Sequence, residues 1–216
     1  MSIAGNTPNE KKLYAGMGLL LASSIIGAGY LGYSWYKKNK EQAAYKDLSE
    51  SIEGYIKAST SALSSKKSFS PQWTDVQRAF KIGAEINSSS SLYPYFLAYQ
   101  ADVLLQQGQN TEAIQIMDDA IAHLDRTHPL YYLYALKNAL MKTDSQDASL
   151  SQAGREALEK LANDNANLLQ DRAQYYSALD AYYRGDSGAA QKRFQQIIAR
   201  GNVDSPWHQK ALKNMG

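Results

Sequence analysis

The most conspicuous feature of the hydrophobic pattern is a run from Leu13 to Tyr36, LYAGMGLLLASSIIGAGYLGYSWY, that contains no charged residue. Lys11 and Lys12 precede it, and Lys37, Lys38 and Lys40 follow it. About 20 helical residues at roughly 1.5 Å each cross a bilayer core, so the run predicts a transmembrane helix. Tyr14 at one end and Tyr30, Tyr33, Trp35 and Tyr36 at the other stand where aromatic belts meet the headgroups, with lysines able to snorkel beyond them. A cleaved signal peptide has an apolar core of only about 7–15 residues and a small-x-small cleavage site. This run is longer, and its last residues Trp35 and Tyr36 lead directly into lysines with no such site, so it reads as an uncleaved anchor. Gly18 and Ala22, Ser24 and Ala28, and Ala28 and Gly32 are small pairs at a spacing that lets a second helix approach, although such residues are also ordinary in membrane helices.

Beyond the run the period changes to that of amphipathic helices, and no alternating segments bounded by Asn-Gly or Asp-Gly turns suggest strands. Ala44, Leu48, Ile52, Tyr55, Ile56 and Leu63 recur at three- and four-residue steps along a long first helix. A serine and lysine loop from Ser64 ends at Pro71, which starts the next helix, with Val76, Phe80, Ile82, Ala84 and Ile86 as its apolar positions. From Tyr95 the spacing of Ala101, Leu104, Gly108, Ala113, Met117 and Ala120 is that of a tetratricopeptide hairpin, in which small residues let two helices touch and a glycine turns between them. Ala178, Ala181, Gly185, Ala190 and Phe194 repeat the spacing. Between these two lies room for a third, degenerate hairpin over Leu130 to Lys142 and Gln152 to Leu161, with Ala135, Ala157 and Leu161 in corresponding places and a polar insertion around Ser145 to Ser151. A last helix begins at Ser205 and Pro206. The alternative is a plain antiparallel bundle, but the recurrence of one spacing favours a repeat array.

The fold expected is therefore all-α, an N-terminal transmembrane helix followed by a tetratricopeptide-like helical-hairpin solenoid of three to four degenerate repeats. Its parts are a short tail at 1–12, the span at 13–36, a linker and first helix at 37–70 and the repeat domain at 71–216. The chain of 216 residues carries a net charge of only +2, with acids and bases interspersed, so no basic face suits nucleic acid. It has no cysteine, which excludes disulfides, thiolate zinc sites and thiol nucleophiles. Sixteen tyrosines outnumber four phenylalanines and three tryptophans, a bias toward surfaces where ring and hydroxyl meet different surroundings.

Nothing in the pattern assembles a catalytic centre. His123, His128 and His208 lack HExxH or similar spacing, and Asp118 with Asp119, or Asp144 with Asp147, fall on solvated turns and faces. Gly27, Gly29 and Gly32 mimic a dinucleotide fingerprint inside the apolar run, with no strand before them. No enzyme activity, cofactor, metal or small-molecule substrate is expected.

The order of short tail, single span and helical hairpins resembles the YfgM family, the ancillary subunit of the bacterial SecYEG translocon. The likeness rests on GYSWYKKNK after the span, on ALMKTD through EALEKL, and on ALDAYYRGDSGAAQKRF. The inserted turn and the tyrosine-rich helices depart from that family's pattern. The resemblance implies a cytoplasmic tail, a periplasmic domain on the bacterial inner membrane, and partners among Sec translocon subunits, periplasmic chaperones or translocating polypeptides. The lysine count alone points the other way, to a cytoplasmic domain organising a different membrane complex such as a secretion or division assembly.

In stacked hairpins the first helix of each pair lines the concave face. Counted from Ala101, Ala135 and Ala178, the positions facing it are Tyr95, Asp102, Tyr132, Arg172, Tyr175, Tyr182 and Tyr183. Tyrosine supplies large contact area at low entropic cost, so these positions suit an interface with extended polypeptide, and they equally suit packing between neighbouring repeats.

Overall fold

The computed structural model describes the backbone of residues 8–65 and 71–215, and the side chains of residues 33–62 and 72–215. Every described element is an α-helix: α1 (Pro8–Ser65), α2 (Pro71–Ile86), α3 (Tyr93–Gln106), α4 (Asn110–Ala122), α5 (Tyr131–Thr143), α6 (Ala148–Asn163), α7 (Gln170–Tyr183), α8 (Ser187–Ala199) and α9 (Pro206–Met215). Two compact units divide the chain at 46/47, inside α1. In the first, Tyr33, Trp35 and Tyr36 are exposed. The anchor expected at 13–36 falls mainly on residues 13–32, whose side chains lie outside those described. Among the described residues no helix is long and apolar enough to cross a membrane.

The second unit is a series of helical hairpins. Its largest element-to-element contacts join α3 to α4, α5 to α6 and α7 to α8, while α9 lies on α8 and α7. The end of α1 pairs with α2 through Tyr55 and Trp73, whose rings meet edge-on at 5.5 Å. Two of the turns have the same backbone. Gly108 and Gly185 adopt φ of 76° and 85°, a left-handed conformation that glycine enters without steric cost. Gln109 N–H then reaches Leu104 O and Asp186 N–H reaches Ala181 O, each at 2.9 Å, while each glycine N–H bonds the carbonyl three residues back. This double closure satisfies carbonyls that the helix end would leave bare. Asp186 next caps α8 by accepting from Ala189 N–H.

The middle hairpin keeps the same logic in a different register from the one its sequence suggests. Ala139, 1 % exposed, occupies the ninth position of α5 as Ala101 and Ala178 do in α3 and α7, whereas Ala135 is half-buried. Across from it stands Gly154, not Ala157, with Leu158 and Leu161 following at the steps that separate Ala113 from Met117 and Ala120. A Cβ at Gly154 would lie 2.8 Å from Ala139 O and closer still to Thr143 N. The helices touch backbone to backbone, which only glycine permits. No glycine makes this turn. Asp147 closes it by accepting from Ser149 and Leu150 N–H, so the insertion carries its own cap.

In α2 the buried stripe is Trp73, Val76, Phe80, Gly83 and Ala84, and Ile82 and Ile86, expected on the apolar face, are exposed at 46 % and 64 %. A helix turns 3.6 residues per turn, so a stripe through 73, 76, 80 and 84 leaves 82 and 86 on the far side. Among the described residues the core falls into three clusters. One joins α1 to α4 around Phe80, Phe96 and Met117, the second joins α5, α6 and the start of α7, and the third joins α7, α8 and α9.

Polar staples cross the seams between hairpins. Asp118 on α4 accepts from Asn138 Nδ2 at 2.6 Å and Lys142 Nζ at 2.7 Å, both on α5. Glu159 on α6 accepts from Ser177 Oγ on α7 at 3.3 Å and Arg193 on α8 at 3.0 Å. Partial burial pushes the Glu159 carboxyl upward, but the Arg193 hydrogen bond and charge, with Asn163 and Ser177, outweigh it and hold the group below its ordinary range.

Two outcomes follow from this packing. Gly154→Ala should destabilise the chain by about 1–3 kcal/mol in urea unfolding, whereas Gly54→Ala, where a Cβ meets nothing nearer than Val76 at 3.8 Å, should stabilise it by about 0.5–1 kcal/mol. Because Glu159 is depressed in the folded state, its contribution is present above the unfolded carboxyl range near 4.5 and is lost as pH falls through the lower folded value. Wild type should therefore exceed Glu159→Gln in stability at pH 7, and the difference should close in titrations carried well below pH 4.5.

Candidate protein-docking groove

Three first helices, α3, α5 and α7, carry the candidate side chains, and their surroundings differ along the array. On α3, Tyr95 is half-buried and its hydroxyl lies 3.2 Å from His128 Nε2. Since His128 Nδ1 accepts from Leu130 N–H, the neutral imidazole carries its proton on Nε2 and donates to Tyr95 Oη. Asp102 on the same helix forms an ion pair with Lys137 of α5. Tyr132 donates its hydroxyl to Asp164 Oδ2 at 3.0 Å, and Arg126 meets the same oxygen at 2.7 Å. Ala166 N–H, the Tyr132 hydroxyl and Arg126 together hold the Asp164 carboxyl below its usual range. That carboxylate ties the α4–α5 loop, the start of α5 and the α6–α7 loop to one point.

On α7 the candidates separate into two groups. Arg172 and Tyr175 lie under α9: the Arg172 guanidinium sits 5.4 Å from the Trp207 ring centre, and the Tyr175 ring 5.4 Å from it. Tyr175 also meets Phe194 at 5.8 Å and accepts a hydrogen bond from Asn214 Nδ2 at 3.3 Å. Tyr182 and Tyr183, by contrast, are 59 % and 80 % exposed at the end of the helix. The seven positions therefore do not form one continuous surface. Tyr95, Asp102 and Tyr132 adjoin a common groove, Arg172 and Tyr175 are covered by α9, and the last two tyrosines stand at the far end.

The groove itself consists of two adjoining clefts. One, of about 340 Å³, lies between α3 and α5 and is lined by Ala98, Tyr99, Asp102, Leu130, Leu133, Tyr134 and Lys137. The other, of about 440 Å³, continues past the start of α5 to the α6–α7 loop, with Arg126, Thr127, His128, Pro129, Leu130, Tyr132, Leu133, Ala166, Leu168 and Leu169 around it. Leu130 and Leu133 belong to both. Burial first, then the neighbouring Tyr95, Tyr99 and Asp102, push the Tyr134 hydroxyl well above the ordinary tyrosine range, so it stays protonated.

Counting from the small packing residue missed Leu133, because Ala135 stood in for Ala139. With Ala139 as the reference, Leu133 on α5 takes the place of Tyr95 on α3 and Arg172 on α7. The signal was present in the helix start at Tyr131, one residue after Leu130. Leu168 could not have been found by periodicity at all, since it lies in a loop. No family model and no curated protein matches this chain.

Tyr175→Ala should lower stability by about 2–4 kcal/mol, because it removes a ring held between α8 and α9. Tyr183→Ala should change it by less than about 0.5 kcal/mol. Urea unfolding followed by circular dichroism checks both.

Proposed function

We propose that this chain is a non-catalytic, membrane-anchored scaffold that docks other polypeptides in the groove, its hairpins being degenerate tetratricopeptide-like repeats. The observation that carries this reading is the continuous apolar cleft across the first helices of two successive hairpins, the face on which stacked hairpins receive partners. The repeated glycine turns and matched small residues support the repeat assignment. The uncharged run at 13–36 and the exposed Tyr33, Trp35 and Tyr36 at its C-terminal end support the anchor.

The resemblance to the YfgM family supports a periplasmic domain on a bacterial inner membrane, beside the Sec translocon. Its partners would then be translocon subunits, periplasmic chaperones or translocating polypeptides. A second reading faces the same domain to the cytoplasm, as an organiser of another membrane complex. It is favoured by one observation, that Lys37, Lys38 and Lys40 outnumber Lys11 and Lys12.

Protease added to intact spheroplasts separates the two readings. Digestion of residues 47–216 without lysis is expected for the periplasmic scaffold, and protection until lysis would establish the cytoplasmic one. In either orientation the full-length chain should stay in the membrane pellet after carbonate washing, and release with an N-terminus beyond Tyr36 would remove the anchor.

A further inference from the structure

The chemistry of the groove's walls narrows what can lie in it. Each charged group on them is already matched from within: Lys137 by Asp102, and Arg126 by Asp164. His128 is engaged on both ring nitrogens, by Leu130 N–H and the Tyr95 hydroxyl. A charged group entering the cleft would lose its water and meet no free counter-charge, an uncompensated desolvation. Apolar side chains meet no such penalty.

Two further features point to an occupant. Leu168 is 98 % exposed, yet the loop that presents it is tightly specified. Asn167 Nδ2 donates to Leu161 O at 2.8 Å, Asn167 Oδ1 accepts from Leu169 N–H at 2.9 Å, and Asp164 Oδ1 accepts from Ala166 N–H at 3.0 Å. A fixed loop that holds a leucine almost wholly in water leaves that side chain no part in folding. At the other end of the groove, Tyr99 and Tyr134 line the α3–α5 cleft, and neither hydroxyl has a hydrogen-bond partner among the described residues. A tyrosine hydroxyl donates to any acceptor that enters the cleft. Main-chain carbonyl groups, present in every extended polypeptide and exposed because such a chain has no internal ladder, supply such acceptors.

We propose that the groove takes an extended, uncharged polypeptide segment, its apolar side chains entering beside Leu130, Leu133 and Leu168 and its carbonyl oxygens accepting from Tyr99 and Tyr134. The inference rests on the docking role proposed for this groove and adds the class of partner. Recognition of this kind is tolerant of sequence, because the hydroxyls bond main chain and the leucines ask only for apolar bulk. A rigid folded partner is a poorer fit, since an interface of its usual size, about 800 Å² per side, needs a far broader surface than two adjoining clefts.

The test uses the full-length chain in lipid nanodiscs and three fluorescent ten-residue peptides: one alternating leucine and serine, one with glutamate and one with lysine in place of leucine. Anisotropy should show the leucine peptide binding at least tenfold more tightly than either charged one. Leu133→Ser and Leu168→Ser should each weaken it about tenfold, and Tyr134→Phe several-fold, with Gln191→Ala as a neutral control. Leu168→Ser should leave the melting curve unchanged, so its loss of binding reports the contact and not folding. Preference for the glutamate peptide, abolished by Lys137→Ala, would overturn the partner class while keeping the groove. Leucine-peptide binding that ignores both leucine substitutions would show that docking occurs elsewhere, and failure of the leucine peptide to bind would end the proposal.

Discussion

The close approach of two helices through small residues is the constraint on which the second unit depends. Ala101 with Ala113, Ala139 with Gly154 and Ala178 with Ala190 are buried at matching places in three successive hairpins. Where both backbones come near, large side chains are excluded from the contact and directed to its flanks, where Leu104, Met117, Leu158, Phe194 and Ile197 form the core. That distribution repeats, so each hairpin offers its neighbour a similar flank. The array follows from one local rule applied several times.

The rule also positions the groove. First helices are held in parallel register by their small residues, so the positions six before them, Tyr95, Leu133 and Arg172, recur along the array. Each recurrence has a different fate. Tyr95 is engaged by His128, Leu133 stands between two clefts, and Arg172 lies under Trp207. Helix α9 thus covers on the last hairpin a face that stays open on the one before it.

Much of the helical order could be read from periodicity, since Gly108 and Gly185 punctuate hairpins whose buried alanines keep one spacing. The middle hairpin could not be aligned that way. Its turn is longer and closed by an Asp147 cap instead of a left-handed glycine, and its tightest contact uses Gly154, a residue that a search for alanine or leucine passes over. Of the site, the tyrosines were visible as a composition bias, but their separate roles depend on partners distant in sequence. Tyr132 finds Asp164, Tyr175 finds Trp207 and Asn214, and Tyr183 meets the ring of its neighbour Tyr182. No local pattern distinguishes these three fates.

The seam between α4 and α5 has a mechanical meaning. It lies between the first core cluster and the second: Asp118 binds Asn138 and Lys142 across it, and Tyr134 and Met141 of α5 pack against the first cluster. Anything seated in the groove touches α3 from one cluster and α5 from the next, and so acts as a splint across the joint between them. The joint's stiffness then enters the binding equilibrium directly: a chain that bends freely there spends entropy to be straightened, and one already braced does not. Substitutions at Asp118, which lines neither cleft, would therefore tune how tightly a segment is held without removing a side chain from the groove's walls.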